Sequence, residues 1–269
     1  MSRVVAITGA ASGIGRALAE EFASRGAQLA LSDRSEAGLA ETAAAIPGRV
    51  HTRVVDVTDP AAIEGWAAAI DAEFGAVHVL VNNAGVSLTG AFSELGVDDF
   101  EWLFAVNWWG VYHGSRIFLP RLAASGTPAR RSHLVNVSSI FGILGVPGQS
   151  AYCAAKFAVR GFSEALAAEH ADGPVQVHTV LPGGVATRIA EDARYRNAGE
   201  AALFADPGRA KRLIAGGLTP RNAARILVDG VDAGRERIVV GADAWGLDRL
   251  ARWFPTGYRR AMRWGMRFV

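Results

Sequence analysis

The sequence predicts an α/β chain built as one Rossmann-type, doubly wound domain: a seven-stranded parallel sheet with helices on both faces. Three observations predict it. Seven short apolar runs recur along the chain, at residues 4–7, 29–32, 53–55, 77–81, 133–137, 175–181 and 238–240. Alanine-rich helical patterns separate them, among them residues 15–24, 37–45, 60–73 and 152–171. The runs are continuously apolar rather than alternating, the mark of strands buried on both faces by crossover helices.

Composition bounds the rest. A chain of 269 residues, half of them hydrophobic and 31 of them glycine, is large enough for a two-sided core. Its net charge of +2 is too small to point to nucleic acid. The single cysteine, Cys153, excludes an internal disulfide and fits a reducing compartment. Cys153 follows Tyr152, so a catalytic thiol was weighed against a small packed helix residue. No histidine stands near it in sequence, and the packing reading is preferred. The chain runs from Met-Ser-Arg straight into the first apolar run, and a cytoplasmic protein is expected. Residues 132–155 carry no charge. Their Asn, Ser, Gly and Pro content predicts a strand and an active-site loop rather than a membrane span. The six histidines show no metal-ligand spacing, and no metal is expected.

The first strand closes in Thr8-Gly9-Ala10-Ala11-Ser12-Gly13-Ile14-Gly15, and a helix follows. Such a turn lets backbone N–H groups approach a pyrophosphate, with the helix N-terminus behind them. Gly9, Ser12, Gly13, Ile14 and Gly15 are therefore candidate cofactor contacts. Asp33 ends the second strand 18 residues after Gly15, where a carboxylate binds an adenosine ribose and repels a 2′-phosphate. NAD is the expected cofactor. Arg34 beside it could turn to a 2′-phosphate and keeps NADP open. Asp56 and Val57 are placed near the adenine, with a helix-initiating turn capped by Asp59 before Pro60 as the equal alternative.

Tyr152 and Lys156 stand one helical turn apart. The chain has 28 basic residues but only two lysines, Lys156 and Lys211, so this position uses lysine in a chain that otherwise chooses arginine. A compact ammonium one turn from a phenol is expected to lower its pKa and to reach neighbouring hydroxyls.

Taken in order, these pieces resemble the short-chain dehydrogenase/reductase family over most of the chain. The resemblance rests on the Thr8–Gly15 turn, Asn82-Asn83-Ala84-Gly85, Asn107, Ser138-Ser139, Tyr152-x-x-x-Lys156, and Pro182-Gly183 with Thr187. It implies that Tyr152 is the general acid/base and that Ser139, thirteen residues earlier, orients the substrate oxygen, with Ser138 as the rival. It implies that Lys156 binds the nicotinamide ribose and that Asn107 holds a water of a proton relay. Asn83, Ala84 and Gly85 would bind cofactor and brace the sheet. Pro182, Gly183, Val185 and Thr187 would hold the nicotinamide. A homodimer or homotetramer is also implied, with one of Trp108 and Trp109 packing inward and the other facing a subunit.

Ile140, Phe141, Leu144, Val146 and Gln149, with Val86, Ser87 and Leu88, are expected to line a mostly apolar pocket under a lid at residues 188–217. The substrate is expected to be a fairly hydrophobic secondary alcohol or ketone. An NADPH-dependent ketoreductase on the same fold is one alternative. A nicotinamide-bound scaffold that does not turn over is another, and the intact catalytic set speaks against it. The catalytic domain is expected to span residues 1–246. The tail, residues 247–269, mixes six arginines with Trp253, Phe254, Tyr258, Trp264 and Phe268. It is expected to cap the active site or a subunit, or to touch an anionic membrane.

Overall fold

A computed structural model describes residues 3–197, 208 and 216–260. Seven parallel strands form the main sheet: β1 (Val4–Thr8), β2 (Gln28–Asp33), β3 (Val50–Val54), β4 (Val79–Asn82), β6 (Ser132–Val137), β7 (Val175–Pro182) and β9 (Arg237–Val240). Their order is β3-β2-β1-β4-β6-β7-β9. Strand order therefore reverses between β1 and β4, and the crevice for a ligand opens beyond their carboxyl ends. β3 begins three residues before the run read from the sequence, because it is an edge strand with a partly buried His51, exposed Thr52 and Arg53, and a weak apolar signal.

Residue parity decides which face each strand side chain serves. Val5, Ile7, Leu29 and Leu31 pack with Leu18 and Phe22 of α1 (Gly13–Ser24), Leu39 of α2 (Glu36–Ala44) and Leu227 of α7 (Pro220–Asp232). Val4, Ala6, Ala30 and Leu80 face the other way. They meet Ile63, Trp66 and Ile70 of α3 (Pro60–Phe74), and Phe118 and Leu122 of α5 (Gly110–Ser125). The helices start where sequence chemistry dictates. Asp59 caps α3 through the Ala61 N–H with Pro60 in its first turn, and Thr219 caps α7 ahead of Pro220. Gly75 ends α3 in the left-handed region at φ 75°, where a side chain would be strained.

Two further elements frame the crevice. α4 (Val97–Phe104) continues through a π-helical turn at Ala105–Trp109 into α5, with the Gly110 N–H bonded to the Ala105 carbonyl. α6 (Ser150–Glu169) carries Tyr152 and Lys156. A small parallel pair joins β5 (Leu88–Thr89) to β8 (Arg194–Tyr195). The expected tail boundary at residue 247 falls inside α8 (Ala242–Trp253). This helix packs Ala244 and Ala251 into a buried cluster with Ile140, Leu144, Val146 and Cys153, so residues up to 260 are continuous with the domain. Residues 261–269, and nearly all of the expected lid beyond residue 197, lie outside the described residues. Among the described residues no helix is long and apolar enough to cross a membrane.

Candidate active site

The glycine turn at the end of β1 leaves space that side chains would fill. Gly9 and Gly13 have φ of 68° and 54°. A Cβ on Gly9 would lie 2.8 Å from the Ala84 Cα, and one on Gly15 would lie 2.0 Å from the Gly9 carbonyl oxygen. A Cβ on Gly13 would meet the Thr187 methyl at 3.2 Å, so Thr187 stands over the turn. Ser12 occupies the N-cap position of α1 without a side-chain cap bond, which leaves the first N–H groups of the helix available to an anion. Ile14 packs into the core behind them. Asn83 braces the turn from β4: its amide nitrogen donates to the carbonyls of Thr8 at 3.0 Å and Gly9 at 3.2 Å. The Thr8 hydroxyl in turn accepts from the backbone N–H groups of Asn83 and Ala84.

Asp33 lies beside this turn at the end of β2. One carboxylate oxygen accepts from the Ala11 N–H at 3.1 Å and the other from the Ser35 N–H at 3.0 Å. Arg34 is exposed next to it. Asp56 accepts from both the N–H and the hydroxyl of Thr58, the local turn weighed as the alternative to an adenine contact. Val57 is buried against Gly110, where a Cβ would come within 2.7 Å of it.

The catalytic candidates converge at the carboxyl ends of β4 and β6. Asn107 is fully buried in the π-helical turn. Its side chain accepts from the Val86 N–H at 2.8 Å and donates to the Val86 carbonyl at 2.9 Å, so both ends of the amide hold the chain after Gly85. A Cβ on Gly85 would lie 3.3 Å from the Asn107 carbonyl oxygen and 3.6 Å from the Lys156 Nζ. Ser138 and Ser139 diverge. The buried Ser138 hydroxyl donates to the Lys156 carbonyl at 2.7 Å and is occupied within the fold. Ser139 accepts from the Phe141 N–H at 3.1 Å, and its side chain favours the ionised form of the Tyr152 phenol. Lys156 is buried, with Nζ donating to the Val137 carbonyl at 3.0 Å and standing 5.7 Å from the Tyr152 ring centre.

Burial governs the electrostatics of the pair. It pushes the Tyr152 phenol up to about 12, and the Ser139 side chain opposes it only in part. Burial also pulls Lys156 down to about 8. Lys156 Nζ is directed to the Val137 carbonyl, and burial disfavours the charged forms of both groups.

The opposite wall is the turn after β7. Pro182 ends the strand, and the Gly183 N–H bonds the Val240 carbonyl. Val185 is buried and forms a bridge with Leu218. Thr187 starts the short turn Arg188–Ala190. Sequence reasoning passed over Asp243, whose carboxylate accepts from the Gly184 N–H at 2.7 Å. A Cβ on Gly183 would lie 2.3 Å from the same carboxylate. Tyr258, read only as one of the tail aromatics, is a buried ring whose hydroxyl accepts from the Gly145 N–H at 3.1 Å. Neither stands in a recognisable motif; a glycine at φ 112° just before Asp243, Gly241, is the one local signal.

The residues expected to line the pocket divide. Ile140, Leu144 and Val146 are buried against α8, in core positions. Gln149 is buried with its amide nitrogen donating to the Thr89 hydroxyl at 2.6 Å. Phe141 meets the Tyr152 ring edge-on at 6.0 Å. The start of the expected lid is fixed over this region: Arg194 bonds to the Ser87 carbonyl, and Arg196 donates twice to the buried Asp99 of α4.

A parallel doubly wound sheet, a glycine cradle at its reversal point and a Ser–Tyr–Lys cluster beside it define a nicotinamide-type oxidoreductase. The comparisons agree. The sequence pattern of the short chain dehydrogenase family matches residues 3–198. A putative oxidoreductase, SadH, of Mycobacterium tuberculosis is 42% identical, over 98% of this chain and 95% of its own length. The 3-oxoacyl-[acyl-carrier-protein] reductase FabG of Haemophilus influenzae is 35% identical over 70% of this chain and 76% of its own. The crystal structure of a short chain dehydrogenase/reductase from Burkholderia phymatum in complex with NAD superposes with a TM-score of 0.85. It is 32% identical, and 94% of each chain is covered. The chain belongs to the short-chain dehydrogenase/reductase family.

Proposed function

We propose that the protein interconverts a fairly hydrophobic secondary alcohol and the corresponding ketone, with NAD as cofactor and Tyr152 as general acid/base. The observation that carries this reading is the convergence of Ser139, Tyr152 and the buried Lys156 beside Asn107 and Gly85, on the same side of the sheet as the glycine cradle. The cradle fits a dinucleotide on the chain's own geometry: Gly9, Gly13 and Gly15 clear the approach, α1 offers free N–H groups, and Thr187 faces them. Asp33 and Lys156 would take the two riboses. When bound, oxidised nicotinamide accepts the hydride and, being a cation, favours the Tyr152 phenolate.

Ser139 holds the substrate oxygen, and Tyr152 takes its proton during oxidation or returns it during reduction. Lys156 would hold the nicotinamide ribose through its buried Nζ, which stands 5.7 Å from the Tyr152 ring centre. Asn107 fixes Val86 and so the floor of the site. Phe141 supplies an apolar wall beside the phenol. An NADPH-dependent ketoreductase is the second reading, favoured by Arg34, which is exposed beside Asp33. A homodimer or homotetramer through α5 and α6 is part of the proposal, because Trp109, in the π-helical turn just before α5, and Phe157 on α6 are 48% and 43% exposed. Trp108 packs inward on Phe162 at 5.3 Å. A reducing compartment such as the cytoplasm fits the one buried cysteine.

The test follows absorbance of reduced nicotinamide with NADH and NADPH against a panel of apolar ketones and alcohols. Turnover with NADH that is abolished by Tyr152→Phe is expected. Undiminished turnover in that variant would refute the role of the phenol, and binding of NADP with no binding of NAD would refute the reading of Asp33.

A further inference from the structure

α8 is amphipathic in an unusual sense. Its inner side carries Ala244, Leu247, Leu250 and Ala251 against the loop after Ser139. Its solvent side carries Trp245, Arg249, Arg252 and Trp253, interrupted only by Ala242 and Gly246. Trp245 and Trp253 are 56% and 73% exposed, and Phe254 just beyond the helix is 56% exposed. Arg249 lies over the Trp245 ring at 4.6 Å. Arg259 and Arg260 extend the exposed basic surface. The two acids of α8 are both engaged, while Glu164 and Glu236 border Arg252 and Arg259. Asp243 is turned to the Gly184 N–H, and Asp248 is buried beneath Arg237 and Arg252.

Large aromatics are normally withdrawn from water, and a solvent face made of tryptophan and arginine is costly unless something covers it. We infer that this face of α8 is a docking surface for an anionic lipid membrane, with the helix lying in the plane of the interface. Tryptophan suits the headgroup level because its ring is apolar and its N–H is polar, and arginine supplies the attraction to anionic headgroups. The two tryptophans are eight residues apart, or about 12 Å along the helix. They form a shallow row suited to a flat surface rather than plugs for a pocket. A second copy is the poorer occupant: a two-fold contact would bring together two faces of the same positive charge. An acidic protein would match the charge of the row, but the cavity beside it, lined by Arg252 and Arg259, also carries Glu164 and Glu236, which would repel one. This geometry lays the loop that follows Ser139 one helix thickness from the membrane. The inference stands whether or not the proposed reaction is correct, since its test needs no substrate.

The test is co-sedimentation of the full chain with vesicles of phosphatidylcholine alone and of phosphatidylcholine with about 30% phosphatidylglycerol, at low and physiological salt. The expected result is partitioning at least about tenfold higher onto the anionic vesicles, weakened by salt. The double variant W245S/W253S should lose about tenfold in partitioning at an unchanged circular dichroism spectrum. R249E/R260E should lose the preference for anionic lipid. Phe92→Ser, at an exposed aromatic on another surface, should bind as wild type. The inference is overturned if the wild type binds neither vesicle, or if the α8 variants bind as the wild type does. It is equally overturned if W245S/W253S changes the subunit number in the absence of lipid, which would make this face an interface between copies.

Discussion

Gly15→Ala is a one-methyl change whose consequence the backbone geometry decides. The added Cβ would lie 2.0 Å from the Gly9 carbonyl oxygen, 2.6 Å from the Asn83 amide nitrogen and 2.8 Å from the Gly9 carbonyl carbon. Real Cβ atoms essentially never come closer than 3.0 Å, so about 1 Å of movement is required. Two of the three obstacles are backbone atoms, and the third is the side chain that holds them through the Thr8 and Gly9 carbonyls. No rotamer change relieves the clash. The start of α1 must lift from the turn, or the turn must open. Overpacking of this kind costs about 1–3 kcal/mol. At about 2 °C per kcal/mol for a chain of this size, Tm should fall by roughly 2–6 °C. A 1 Å misplacement of positioning groups costs on the order of 100-fold in a well-fitted site. NADH affinity should therefore fall at least about tenfold, well beyond the stability loss. Differential scanning fluorimetry and calorimetric titration with NADH measure the two effects separately. A variant with wild-type Tm and NADH affinity within twofold of wild type would refute the reasoning. Gly246→Ala in α8 is the matched control: a Cβ there meets nothing within 4 Å, and a gain of about 0.5–1 kcal/mol is expected.

Three other changes test separate parts of the structure. Lys156→Met should stabilise the fold at pH 7 while abolishing turnover. Burial lowers the lysine from 10.5 to about 8, a penalty of about 3 kcal/mol, partly offset by its bond to the Val137 carbonyl. The penalty is full below pH 8 and is relieved as pH rises from 8 to 10.5, where the unfolded chain still binds the proton. The advantage of Met in urea unfolding should therefore shrink at pH 9.5, and an advantage that does not shrink would sink the argument. His133 and His178 form a pair at 2.9 Å, and burial holds them down to about 3 and about 4. Between pH 6.5 and about 4 the unfolded chain takes protons that the folded chain refuses, so stability should fall with acidification. The slope is up to about 1.4 kcal/mol per pH unit for each histidine. His178→Gln should reduce it, as urea midpoints between pH 7 and 4.5 will report. Tyr258→Phe keeps the buried ring but removes the partner of the Gly145 N–H, at a cost of about 1 kcal/mol. Faster deuterium exchange over residues 140–149 and a several-fold higher KM for the carbonyl substrate are expected, with KM for NADH unchanged. Unchanged exchange there would show that the hydroxyl does not hold the loop.

How far the site is legible in the sequence depends on the range of the interactions that build it. The seven strands are readable because a buried parallel strand must be apolar along its length; the exposed edge strand β3 was misplaced by three residues for the same reason. The glycine turn is readable because positive φ and close backbone approach admit only glycine at Gly9 and Gly13. Tyr152 and Lys156 are readable because helical spacing places them on one face. Ser138 and Ser139 are adjacent and chemically identical. Only the packing of α6 against β6 occupies the first and leaves the second beside the phenol.

By itself the sequence determined the family, the order of strands and helices, the cradle and the candidate acid/base, since each is imposed by backbone geometry or spacing within a few residues. The tertiary structure alone decided the rest. It placed Ile140, Leu144 and Val146 in one buried cluster with the C-terminal helix, and it buried the Tyr152 phenol. Those outcomes depend on contacts such as Gly184 with Asp243 and Gly145 with Tyr258, separated by 59 and 113 residues. No local pattern specifies such partners; the sheet and its helices must be assembled before the residues meet.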